Sequence, residues 1–206
     1  MRRTITSAMI LIALLGVGWW FLSRHGTIKR EGRTMNPSIA KYVDYVSTEP
    51  RLAVRFQIPK GWGVQREQGK VERYHQIRIR GPRNQEDTYT CYLSVRASPL
   101  QSYGGKFGSV EELVSNYKSH LFQDPQILVQ HPVKVAGIAA QELLVSFTIP
   151  PLHQPGLKAI PIPVKTRSCF FERSPYLYEL IYSADAREFE RYVEAFERLV
   201  RTLRFK

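Results

Sequence analysis

The chain has 206 residues, a formal charge of +12, and 43% hydrophobic and 12% aromatic residues, which supports one domain with a real core. Its two cysteines, Cys91 and Cys169, exclude a disulfide framework and a cysteine-built zinc site. The basic residues are scattered, so a solvated basic surface explains the charge better than a nucleic-acid arm, and no nucleic-acid partner is expected.

Thr4 to Leu22 contains no charged residue. Arg2-Arg3 precede it, Ser23-Arg24 follow it, and Trp19, Trp20 and Phe21 sit at one end like an interfacial aromatic belt. No convincing small-x-small cleavage site follows, and no cysteine marks a lipoprotein signal. Residues 1–23 therefore read as a signal anchor or transmembrane helix, with residues 4–22 in the membrane; a cleaved signal is the alternative. Basic residues nearly balance across the segment, which defeats the positive-inside rule. The short tail and export-like apolar run place the domain outside the cytoplasm, on the periplasmic or cell-surface side. Residues 24–41 are polar and basic and read as a linker; residues 42–206 form the domain.

Tyr42–Val46 and Leu52–Ile58 read as strands, the second with Leu52, Val54, Phe56 and Ile58 alternating. Pro59-Lys60-Gly61-Trp62 is a turn, with Trp62 packing as a plug at the sheet end. Tyr74–Arg80 and Tyr89–Ala97 make a hairpin. Gln101–Gly108 is a Gly-rich loop without phosphate-cradle spacing. Ser109-Val110-Glu111-Glu112 is a capping box that opens a helix ending near Phe122. Ile127–Gln130 and Val133–Val135 are short strand pieces flanking His131-Pro132. A turn at Val135–Ile138 leads to the strand Ala140–Ile149. After the loop Pro150–Pro163, Val164–Glu172 and Tyr176–Ser183 form the last hairpin. Asp185 and Glu188 then read as a capping box on a closing helix, whose apolar face carries Phe189, Tyr192, Val193, Phe196, Leu199, Val200 and Leu203. Glu194 before Arg198 and Glu197 before Arg201 are i, i+4 pairs on the other face. The pattern is a compact α+β domain.

The chemistry-bearing residues form no recognised constellation. Five histidines, His25, His75, His120, His131 and His153, show no metal-ligand spacing, and there is no nucleophile elbow. No catalytic, cofactor-binding or metal residues are assigned, and no cofactor is expected. Cys91 and Cys169, both on strands, are either one disulfide or two separate buried thiols. The candidate partner-binding element is the loop carrying Pro150, Pro151, His153, Pro155, Lys158 and Pro161, because prolines reduce the entropy lost on binding. Two other readings stand beside it. One is an enzyme with a cleft near Trp62, His75 and His131. The other is a basic surface for anionic lipid or nucleic acid, for which Arg78, Arg80, Arg96 and Tyr92 are the candidates.

From Tyr42 to Phe205 the chain also resembles the PsbP family and the related Ran-binding Mog family. The residues that carry the resemblance are Phe56-Gln57-Ile58-Pro59-Lys60-Gly61-Trp62, Ser109-Val110-Glu111-Glu112-Leu113, Val135-Ala136-Gly137-Ile138-Ala139-Ala140, and Tyr178–Ala184 running into Phe189-Glu190-Arg191-Tyr192 and Phe196-Glu197. The resemblance implies a three-layer α/β/α sandwich with a central, mainly antiparallel sheet. It also implies a non-enzymatic role in binding or stabilising a partner protein or complex; in plants and cyanobacteria PsbP-like proteins support photosystem II. The chain departs from the family in its membrane anchor and its long Pro150–Pro163 insertion. No metal-binding residues carry over.

Overall fold

Residues 41–68, 73–150 and 161–206 are described by the computed structural model. The expected anchor and almost all of the linker lie outside them, as does the middle of the proline-rich loop. Among the described residues no helix is long and apolar enough to cross a membrane. The elements in chain order are β1 (Tyr42–Val46), β2 (Val54–Pro59), β3 (Gly63–Gln68), β4 (His75–Arg83), β5 (Thr90–Pro99), α1 (Val110–Ser119), β6 (Gln123–Val135), β7 (Ile138–Ile149), β8 (Ile162–Arg173), β9 (Tyr176–Asp185), α2 (Phe189–Thr202) and β10 (Arg204–Phe205). A seven-stranded sheet runs β3-β4-β5-β9-β8-β7-β6, every neighbouring pair antiparallel, and a small sheet runs β1-β2-β10.

Period-2 alternation divides the large sheet's side chains between two apolar clusters. On one face Cys91, Leu93, Val95, Cys169, Phe171, Tyr178, Leu180 and Tyr182 pack with Val54, Phe56 and Ile58 of β2 and with Phe189, Phe196, Leu199 and Leu203 of α2. On the other, Leu143, Val145, Phe170 and Leu177 pack with Leu113 and Val114 of α1. The domain is thus α+β, a mainly antiparallel sheet with two helices that pack on its opposite faces. Each large buried side chain of α2 stabilises by about 1.5–3 kcal/mol, so the stripe read from the sequence dominates the docking of that helix.

The two helix starts differ from each other. Ser109 caps α1 as expected, its Oγ accepting from Glu112 N at 3.3 Å. Glu112 reaches back one residue further than a capping box requires, accepting from Gly108 N at 2.8 Å. Asp185 does not cap α2, which begins only at Phe189. Asp185 ends β9, is buried, and its carboxylate is already engaged: Asn84 Nδ2 donates to Oδ2 at 2.8 Å, and Arg187 donates to Oδ1 from its backbone N–H at 3.0 Å and from Nε at 2.9 Å. Glu188 accepts from Gln85 N at 3.0 Å, so this polar cluster ties the β4–β5 loop to the approach of α2. The expected helix-surface pairs are likewise replaced by tertiary contacts. Arg198 Nε donates to Gln57 Oε1 at 2.7 Å, and Glu197 Oε1 accepts from Arg167 at 3.0 Å.

Other departures have simple causes. β3 carries the polar sequence GVQREQ, which has no apolar alternation to announce it, yet it pairs along β4 as the sheet's edge. The two strand pieces expected at Ile127–Val135 are one 13-residue strand, because an edge strand tolerates Pro132. Ala136 (φ 50°) and Gly137 (φ 82°) form the two-residue turn between β6 and β7, the backbone a tight hairpin requires.

An apolar sheet edge as candidate functional site

The proline-rich loop leaves the sheet where Ile149 pairs with Ile162. Pro150 and Pro161 therefore stand at its base, the first half-buried and the second exposed. Pro151, His153, Pro155 and Lys158 lie outside the described residues. At the same end of β7, Thr148 pairs with Gln123, the first residue of β6. Just before it, Phe122 packs on Phe147 with ring centroids 5.8 Å apart while remaining 46% exposed. Ile127, Leu128 and Val129 follow on β6 at 49%, 44% and 38% exposure. Three consecutive large apolar residues on the surface are not what an isolated edge strand needs, and such patches mark interaction sites.

The backbone explains this exposure. The β6–β7 register slips between Gln123 and Gln126 and again between Ile127 and Val129. Two bulges on one strand re-aim side chains and twist the edge. Asp124 takes a left-handed φ of 52° within the first. Pro125 and Pro132 remove backbone donors. Bulges and prolines are devices that discourage pairing by another strand, so this edge exposes side chains rather than a free backbone ladder.

β6 is held firmly from behind. His131 Nε2 lies 3.8 Å from Glu142 Oε1 on β7; Glu142 Oε2 accepts from Arg167 of β8 at 3.1 Å; Arg167 in turn reaches Glu197 of α2. From the opposite face Lys118 Nζ of α1 donates to Gln130 Oε1 at 2.6 Å. Cys169 Sγ lies 3.8 Å from Glu142 Oε2, and burial together with that carboxylate pushes its thiol up to about 12. Burial pushes the Cys91 thiol up to about 12 as well. Both thiols are free and buried, on β5 and β8 with β9 between them, so they are two separate thiols and form no disulfide. A thiol held protonated is a poor nucleophile.

The three residues of the enzyme reading do not converge. Trp62 lies over Gly81, where an added Cβ would come within 2.8 Å of its ring, and meets Tyr192 edge-on at 6.1 Å. It is the sheet-end plug expected from the sequence. His75 is buried at the opposite end of β4, with Nδ1 3.5 Å from Glu49 Oε1. His131 is on β6, and four strands separate β4 from β6, a distance of about 24 Å at ~4.8 Å per strand. Among the described residues no group of three His, Cys, Asp or Glu is placed to hold a metal ion.

Arg78, Arg80, Arg96 and Tyr92 do share one face of β4 and β5, since Arg80 pairs with Tyr92 and Gln76 with Arg96. They interlock with their neighbours there. Arg78 lies 5.6 Å from the Tyr92 ring centroid, and Arg96 stacks at 4.0 Å on Tyr74 and lies 3.9 Å from Glu179. What the sequence reading missed was the patch beside the loop it singled out. The signal available was an uncharged Ile-Leu-Val run bracketed by two prolines.

No protein-family model matches the chain, and no curated protein matches it. Solved structures do. The chain is similar to the solution structure of cyanobacterial PsbP (CyanoP) from Synechocystis sp. PCC 6803, at 12% identity over 88% of this chain and 100% of that one, with a TM-score of 0.51. It is also similar to LpqN of Mycobacterium tuberculosis (12% identity, 80% and 90% covered, TM-score 0.47) and to PA94 of Pseudomonas aeruginosa (14%, 76% and 91%, TM-score 0.45). The CyanoP match spans the whole of that protein, so what this chain carries is a PsbP-like fold.

Proposed function

We propose that this chain is a non-enzymatic binding module. It is anchored in the membrane through residues 4–22, and its PsbP-like domain lies outside the cytoplasm, where it binds and stabilises a partner protein through the apolar end of β6 and the proline-rich loop beside it. The observation that carries this reading is the exposed edge run Ile127-Leu128-Val129, with exposed Phe122 just before the start of the same strand and the His131–Glu142–Arg167–Glu197 chain behind it. A rigid apolar surface loses little entropy on binding, and its guarded backbone admits a side-chain interface while discouraging runaway strand pairing. Proline residues at the loop base act in the same direction.

The test is affinity capture from detergent-solubilised membranes, comparing the full-length chain with Ile127→Asp/Leu128→Asp. The proposal expects a partner recovered by the native chain and lost by the variant, with thermal stability unchanged. Equal recovery by both would remove β6 from the interface. A robust hydrolase or transferase activity of the purified domain, with no partner recovered, would remove the binding role itself.

A further inference from the structure

We propose that the outer face of the small sheet, together with the C-terminal end of α2, is a docking surface for an anionic lipid bilayer; this rests on the membrane-anchored reading. β2 alternates strictly. Val54, Phe56 and Ile58 enter the core, whereas Arg55 and Gln57 face outward. Opposite residues of an antiparallel pair share a face, so Arg204 stands beside Arg55, and Lys206, two residues on, continues the row. Two arginines directly opposite one another destabilise a sheet unless an anion compensates. Among the described residues Asp44, at 2.7 Å from Arg55, is the one carboxylate side chain lining the depression on this face. Glu194, Arg198 and Arg201 of α2 all lie within electrostatic reach of Tyr42 at the start of β1, two cations against one carboxylate.

The shape suits a surface rather than a small ligand. Asp44, Arg55, Gln57, Thr202, Arg204 and Lys206 line an open depression of about 620 Å³. Val46 of β1, opposite Arg55, is exposed beside the cations at 43%, and can enter the headgroup layer while the guanidinium and ammonium groups stay at phosphate level. The position in the chain selects the occupant. Lys41 is the first described residue, and the sequence immediately before it is the basic linker with Arg24, Lys29, Arg30 and Arg33, preceded by the uncharged run 4–22. In sequence, a basic linker therefore leads from the apolar run into β1, the order in which juxtamembrane cations recognise acidic lipid.

The experiment uses the full-length chain in nanodiscs of phosphatidylcholine alone and of phosphatidylcholine with phosphatidylglycerol, and follows amide hydrogen exchange. Exchange across residues 42–59 and 204–206 should slow only in the acidic discs, with β6 unaffected. The protection should disappear at high salt and in Arg55→Glu/Arg204→Glu/Lys206→Glu, whose altered side chains are all exposed. Each removed cation should weaken association with acidic vesicles about fivefold. Equal exchange in the two discs would overturn the proposal. So would protection by inorganic phosphate in neutral discs, which would mark a free-anion site. Carbonate extraction separates this from the anchor. If the chain is extracted, the anchored reading fails, and co-sedimentation with acidic but not neutral vesicles still decides the docking face.

Discussion

β9 and β6 are long strands of one antiparallel sheet, and they meet opposite environments. β9 lies between β5 and β8, and eight of its ten residues are buried. β6 lies at the edge, and of its thirteen residues only Val135 is buried. The difference does not come from hydrophobicity, since Ile127-Leu128-Val129 is as apolar as any part of β9. It comes from layering. α2 and the small sheet cover β9 on one face, and Leu177 joins the α1 cluster on the other. At the far edge, two bulges turn apolar side chains of β6 outward. Apolar surface under the layers holds the fold together; apolar surface beyond them is available for a partner.

Substitutions should separate the two roles, beginning with the largest effect. Phe196, buried in α2 against Tyr182 of β9, should cost about 3–5 kcal/mol when replaced by alanine, measured by chemical denaturation of the domain. If Phe196→Ala costs less than Leu128→Asp, the contrast between the strands is wrong. Asp185→Asn at the end of β9 should cost about 1–3 kcal/mol at neutral pH, because it weakens a buried bonded cluster. Burial alone would raise the Asp185 carboxyl, but the bonds from Arg187 and Asn84 win and hold it below its ordinary value. A carboxyl depressed in the folded state adds stability above its unfolded pKa, about 3.9, and loses it as pH falls through the folded value. The native domain should therefore lose stability on acidification that Asp185→Asn does not lose; parallel pH profiles would contradict the assignment.

Smaller effects belong to the β6 side. Ala136 occupies a left-handed conformation that disfavours a Cβ, so Ala136→Gly should stabilise by about 0.5–1 kcal/mol, read as a rise in the denaturation midpoint. Leu128→Asp should change stability by less than about 0.5 kcal/mol while abolishing partner capture. Cys91 and Cys169 should resist thiol reagents in the native state and titrate as two free thiols on denaturation, since burial keeps both protonated. A single disulfide, or fast native labelling, would contradict the packing described for β5 and β8.

How far these features were legible in the sequence follows the same division. The face of α2 was readable in its main anchors, Phe189, Phe196, Leu199 and Leu203, with buried Ala195 missed, because period-3.6 burial in a helix needs no knowledge of its partner. β9 was readable as an aromatic-rich apolar run, expected over Tyr176–Ser183 and found over Tyr176–Asp185. Asp185 was misread because its acceptor atoms are taken by Asn84, about a hundred positions earlier, and by Arg187, a contact that local capping rules cannot foresee. β3 is polar throughout and is a strand because β4 offers it an edge. β6 was broken in two at His131-Pro132, since a proline inside a run argues against a central strand and only the topology shows that this one is at the border. The candidate site was half legible. Prolines pointed to the loop Pro150–Pro163, whose middle lies outside the described residues, and the bulges beside Ile127-Leu128-Val129 cannot be read from the apolar run itself.

The central claim is that the end of β6 contacts a partner protein. It is tested most directly by placing a photo-crosslinking residue singly at Ile127 and Leu128, and as controls at Glu111 on α1 and Val46 on the small sheet, in the full-length chain in native membranes. The account predicts one discrete protein adduct, the same from Ile127 and Leu128 and absent from Glu111 and Val46. No adduct at either β6 position, with a discrete adduct at Glu111, would contradict it.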